Sequence, residues 1–187
     1  MSWIRTISYE KATGSLRKIY ERIKGENNHI DSVMKVHSLR PHTMEAHITI
    51  YNQILNHPMN TIPAWFLESI GVYVSYLNGC EYCFEHHYNG MRKLLINIKG
   101  SEVYALKIRS ALMNHNYDSI FQKKEAAAFD YVLKLTKTPH YINEKDIATL
   151  RDNGWNDGEI LELNQVISYF SYANRTVRGL GVRQSTR

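Results

Sequence analysis

At 187 residues, 43% hydrophobic and 22% charged, the chain suffices for one well-packed domain but not comfortably for two, and it is neither disordered nor fibrous in composition. The formal charge of +5 is scattered (Arg17, Lys18, Arg92, Lys93, Lys123, Lys124, Arg178) with no long basic run, so no nucleic-acid partner is expected. No apolar stretch is long enough to span a bilayer, and Met1-Ser2-Trp3-Ile4-Arg5 lacks the charged-then-apolar order of a signal peptide; no membrane partner and a cytoplasmic location are the expectations.

Strand-like alternation is weak throughout, and Gly and Pro are read as falling between helical runs. Leu16, Ile19, Tyr20 and Ile23 share one face of a first helix over 15–24, which Gly25 stops. Residues 27–30 form a polar loop, and 33–39 read as one or two helical turns. Pro41 opens a helix carrying Met44, Ile48, Tyr51 and Leu55, and Pro58 ends it. Pro63 opens the next, to about Leu77. Asn78-Gly79 breaks it, and Cys80 or Glu81 opens another that reaches about Ile98 before Gly100. Ser101 is placed as the cap of a helix through Leu112. After a polar loop at 114–117, a long helix is predicted over about 118–136, ended by Pro139. Asn143 with Asp146, then Asn156 with Glu159, read as capping-box starts of two further helices. Gly154 terminates the first of these; the second carries Ile160, Leu163, Ile167 and Phe170 and ends before Gly179 and Gly181. The expectation is an all-α single domain over 1–187, of about eight helices, with its motif-bearing core at roughly 41–112.

The chemistry concentrates at 63–98. Cys80 and Cys83 are the only cysteines and form a Cys-x-x-Cys, with His87 four residues further on and Glu68 on the preceding helix. In a reducing compartment two such thiols point to catalysis or metal binding rather than to a structural bridge. At about 100° per residue, Cys80, Cys83, Phe84, His87, Met91 and Leu94 share an inward stripe, and Glu81, Glu85, Tyr88, Asn89 and Arg92 lie largely opposite. Burial raises a thiol pKa; the free N–H groups of the helix start and His87, one turn from Cys83, can offset that. Glu68 lies on a stripe of small residues (Ala64, Gly71, Val72, Ser75) that lets the next helix fold back close to it, where it can orient His87 or pass a proton. Haem attachment requires a histidine directly after the second cysteine, and Phe84 stands there. Structural zinc needs four ligands, of which Cys80, Cys83 and His87 supply three, so no metal is expected.

The arrangement Glu68-x11-Cys80-x2-Cys83-x3-His87 resembles the signature of the alkylhydroperoxidase D-like branch of the carboxymuconolactone decarboxylase family. His37-Ser38-Leu39 before Pro41–His47, the run Asn78–Cys83, and the tail from Phe170 to Arg175 with Gly179-Leu180-Gly181-Val182 are similar to its peroxidase-related subgroup, so the resemblance covers nearly the whole chain. It implies an all-α homo-oligomer, trimer or hexamer, that reduces hydroperoxides in antioxidant defence without a cofactor. By match of position, Cys83 is the peroxidatic cysteine, Cys80 the proton donor and resolving cysteine, and Glu68 and His87 the proton relay. A thiol or lipoyl-type reductant closes the cycle. Tyr82 stands where the best-studied branch has a histidine. Decarboxylases of this fold lack the cysteine pair, which argues against lactone decarboxylation.

Apart from the resemblance, O–O cleavage needs a thiolate, a proton for the leaving oxygen and a second thiol, and these residues can supply all three. Phe84 and Trp65 are the expected apolar lining for an organic hydroperoxide. Two other readings stay open: a general thiol–disulfide oxidoreductase, and a non-enzymatic helical protein whose cysteines bind zinc or sense redox state. Asn174 and Arg175 are assigned to a structural contact rather than to substrate. Asn174-Arg175-Thr176 also matches a glycosylation sequon, which carries no weight without secretion.

Overall fold

Proline at helix starts and left-handed glycine at helix ends divide the chain into helices joined by short turns. The computed structural model describes residues 2–183, and among these there are nine α-helices and no strand. They are α1 (Gly14–Ile23), α2 (Ser32–Lys35), α3 (Pro41–Leu55), α4 (Ala64–Leu77), α5 (Glu81–Lys99), α6 (Val103–Met113), α7 (Lys123–Lys137), α8 (Glu144–Asp152) and α9 (Asp157–Gly179). Contacts group the described residues into two compact units: 2–53 together with 175–183, and Ile54–Asn174.

The first unit is built on Tyr9, Ala12, Leu16, Ile19, Tyr20, Ile30 and Met44. Its polar groups are satisfied locally: the Tyr20 hydroxyl donates to the Ile7 carbonyl at 2.8 Å, and the Ile7 N–H donates to Ser38 Oγ at 2.8 Å.

The second unit is organised on α4. Ten of its fourteen residues are buried, as expected of a helix that is apolar nearly all round, and it packs against α5, α6 and α7. Gly71 and Gly90 lie inside α4 and α5, so glycine is not confined to the breaks.

Both capping boxes form. Asn143 N–H donates to Asp146 Oδ2 at 2.8 Å, and the Asn156–Glu159 pair exchanges backbone-to-side-chain bonds at 2.9 Å in each direction. Ser101 Oγ accepts the Val103 N–H at 3.2 Å, although the residue at the cap position of α6 is Glu102.

The largest departure from the sequence reading is α7, which begins at Lys123 rather than near 118. Tyr117–Ser119 is a separate 3-10 turn. It buries Tyr117 and Phe121 together against Phe129, with ring centroids 5.5 and 4.7 Å away, and the Tyr117 hydroxyl donates to Asp130. Aromatic burial here overrides helix periodicity.

Candidate active site

The site begins with the way α4 ends. Gly79 adopts the left-handed conformation (φ +64°), its N–H donates to the Tyr76 carbonyl, and the next N–H, of Cys80, donates to the Ser75 carbonyl, each at 2.9 Å. This is a Schellman closure, and only glycine takes that backbone without strain. It turns the chain directly into α5 and places Cys80 at the N-cap and Cys83 two residues beyond the first helical residue. The two cysteines are buried and joined as a disulfide, with Cα atoms 5.4 Å apart.

One turn below Cys83, about 6 Å along the axis, stands His87. Its Nδ1 lies 2.8 Å from Glu68 Oε2, and the two side chains are 11% and 12% exposed. An ionised carboxylate accepts from Nδ1–H, which leaves Nε2 as the acceptor of the neutral ring, the tautomer a general base requires. Two glycines lie beside the pair, and only Gly71 is required for space. A Cβ on Gly90 would sit 3.4 Å from the Glu68 carboxyl, and one on Gly71 would overlap the Phe170 ring. Phe170 stands edge-on to His87, centroids 4.4 Å apart. The apolar wall of the site is thus Phe170 from α9.

Asn174, one turn beyond Phe170, braces the turn from behind. Its Nδ2 donates to Ser75 Oγ at 3.2 Å and its Oδ1 accepts from Asn78 Nδ2 at 3.1 Å. Ser75 is the residue whose carbonyl holds the Cys80 N–H, so α9 fixes the corner on which the cysteines sit. With its amide buried and engaged, Asn174 is sterically closed to glycosylation.

Other residues depart from the wheel. Tyr88 is buried and Leu94 only half-buried, with Leu95 taking the inward position; the buried stripe of α5 runs Cys83, Phe84, Tyr88, Met91, Leu95. Phe84 meets Tyr76, with ring centroids 6.2 Å apart, and the Arg109 guanidinium lies 4.7 Å above its ring. Trp65 stands at the opposite end of α4, about 18 Å along its axis from Leu77. The rings that meet His87 are those of His86 and Phe170. Tyr82 stacks on the exposed His86 at 6.2 Å. Among the described residues no three His, Cys, Asp or Glu side chains converge in a way that would hold a metal ion.

Gly71 reads as part of a stripe that admits a close neighbour, and that neighbour is Phe170 of α9; the signal the sequence reading passed over was Gly90, inside a helical run, which marks where Glu68 comes close. Phe170 and Asn174 themselves, on a helix far along the chain, carry no local signature.

No family model matches the sequence, and no curated protein matches it. Solved structures do match. An uncharacterized peroxidase-related protein from Ralstonia eutropha JMP134, described as an alkylhydroperoxidase AhpD core, superposes with a TM-score of 0.80 at 20% identity, covering 98% of this chain and 92% of its own. An uncharacterized peroxidase-related protein from Silicibacter sp. TM1040 gives 0.75 at 22% identity over 89% and 83%. The debrominase Bmp8 gives 0.73 at 14% identity over 97% and 91%. The fold is therefore the all-α fold of the AhpD-like, peroxidase-related proteins, and a debrominase shares it.

Proposed function

We propose that the protein is a thiol-dependent peroxidase acting on small organic hydroperoxides or hydrogen peroxide. The observation that carries this reading is the Glu68–His87 pair, closed at 2.8 Å one turn from a buried cysteine pair at the start of α5. In the reduced protein, the Cys83 thiolate attacks one peroxide oxygen. The O–O bond breaks, the leaving oxygen takes a proton and departs as alcohol or water, and Cys83 becomes a sulfenic acid. Cys80 then attacks that sulfur, water leaves, and the Cys80–Cys83 disulfide forms. A dithiol or lipoyl-type reductant returns two electrons and two protons. His87 Nε2 moves the protons, and Glu68 holds the ring in the tautomer that can do so.

Burial of both sulfurs favours a small substrate over a protein disulfide, which distinguishes this reading from general thiol–disulfide exchange. A cycle that needs continual reduction suits the cytoplasm. Among the described residues no helix is long and apolar enough to cross a membrane.

The test starts from reduced protein and one equivalent of cumene hydroperoxide, read by mass spectrometry. Wild type should form the Cys80–Cys83 disulfide, Cys80→Ser should trap a sulfenic acid at Cys83, and Cys83→Ser should not react. Thiols left unchanged in wild type would falsify the proposal. A brominated pyrrole in place of the peroxide tests the debrominase alternative: bromide release, with no response to peroxide, would move the protein to that chemistry.

A further inference from the structure

The carboxylate that holds His87 and the notch that seats Phe170 belong to one turn of α4. Glu68 and Gly71 are three residues apart, so they are neighbours on one face of the helix. Glu68 Oε2 meets His87 Nδ1 at 2.8 Å. A Cβ on Gly71 would come within 2.4 Å of Phe170 Cζ and within 2.6 and 2.9 Å of its Cε2 and Cε1, so the tip of the ring lies on bare α4 backbone. Phe170 is fully buried, and its centroid is 4.4 Å from that of His87 at an interplanar angle of 73°.

A carboxylate alone does not fix an imidazole. Glu68 selects the Nδ1–H tautomer only while Nδ1 faces it. A half-turn about the Cβ–Cγ bond would put a ring C–H opposite the carboxylate, and the hydrogen bond would be lost. The torsion that makes this turn is broad and roughly two-fold in histidine, so the side chain's own preference does not prevent it. Prevention falls to the neighbours of the ring. Two rings meet His87: His86, which is exposed, and Phe170, which is buried and held against Gly71. Of these, Phe170 is the one fixed in place.

We propose that Phe170 is the positioning residue for His87: seated on Gly71, its ring blocks the turn of the imidazole, so that Nδ1–H stays on Glu68 and Nε2 stays the nitrogen that moves protons. Phe170 does no chemistry of its own. The use made of Nε2 rests on the peroxidase reading; the orientation of the ring does not. One turn of α4 thus serves His87 twice, through the carboxylate of Glu68 and through the missing side chain of Gly71.

The orientation can be read without peroxide. Proton–nitrogen correlation spectra of the imidazole rings, on the full chain in its disulfide form at a pH where His87 is neutral, should show the Nδ1–H tautomer alone in wild type, with the signals assigned by their loss in His87→Gln. Phe170→Leu and Phe170→Met, each measured well below its own melting temperature, should show both tautomers. Reduced protein carrying either change should form sulfenic acid at Cys83 with cumene hydroperoxide at least tenfold more slowly, since a displacement of ~1 Å at a catalytic group costs up to about 10²-fold. Phe170→Met carries the test if Phe170→Leu does not fold, because it stays closer to the original volume. Phe170→Tyr should behave like them, because its hydroxyl would extend Cζ into Gly71. A ring with only a structural role would lower the melting temperature and leave tautomer and rate alone. That result in any folded variant, or mixed tautomers in wild type, would overturn the proposal. Wild type with one tautomer but no reaction with peroxide would remove the proposed function and leave the orientation of His87 as inferred.

Discussion

The distance between Glu68 and His87 decides what the site can do, because a histidine held by a carboxylate at 2.8 Å has one nitrogen committed and one available. Glu68→Gln keeps the shape and removes the charge. We expect peroxide turnover to fall by about 10²-fold or more, the usual scale for a general acid–base group, with the melting temperature nearly unchanged. A stopped-flow peroxide assay checks this, and an unaltered rate would return Glu68 to a structural role. The two glycines beside the pair should behave oppositely. Gly71→Ala drives a methyl into Phe170, on which His87 rests; we expect about 1–3 kcal/mol of destabilisation, read as a lower urea midpoint. Gly90→Ala meets Glu68 only at ordinary contact distance and removes a flexible residue from the middle of α5, so it should leave stability equal or raise it by about 0.5–1 kcal/mol. Similar midpoints for the two variants would refute the packing argument.

At the scale of elements, what could be read in advance was what the local chain determines. The Asn78-Gly79 break, both capping boxes and the proline starts depend on residues within one turn of each other, and each lies where the sequence places it. The start of α7 was not legible, because Tyr117 and Phe121 leave helical periodicity to join an aromatic cluster assembled from distant residues. For the same reason Glu68 could be matched with α5 across a short break, but Phe170 and Asn174 could not be placed. Asn174 ties two elements, since one amide bridges α9 to the α4–α5 corner. Asn174→Ala should cost about 1–3 kcal/mol, because it leaves the buried Ser75 hydroxyl without that donor. It should also slow sulfenic acid formation at Cys83. A rate unchanged at temperatures well below the melt would show that the corner is held without it.

At the scale of the molecule, the buried histidines of the first unit give stability a pH dependence. Burial, reinforced by repulsion from His37, pushes His47 down to about 4, and burial alone lowers His37. The unfolded chain therefore binds more protons than the folded one between about pH 6.5 and 4, and stability rises with pH across that window. It is fully present above pH 6.5 and is lost as pH falls, by about 3 kcal/mol for His47 if the whole window is traversed. Thermal melts from pH 7.5 to 4.5 should show this decline, and His47→Gln should flatten it. Self-association is argued from exposed apolar surface. On α9, Ile167, Tyr169 and Phe170 are buried within the chain, whereas Tyr172 is exposed. Exposed apolar residues also lie on α6 and the end of α5: Ile98, Val103 and Leu106 are 60%, 57% and 51% exposed. Val103 and Leu106, three residues apart on α6, are neighbours on one helical face, and apolar surface that gathers in this way can serve association. We therefore propose a trimer or hexamer joined through α6. Light scattering after size exclusion should give three or six times 21.8 kDa for wild type and a single-chain mass for Leu106→Glu. A wild-type mass equal to one chain would remove the proposal. A Leu106→Glu protein that stayed assembled would move the interface elsewhere.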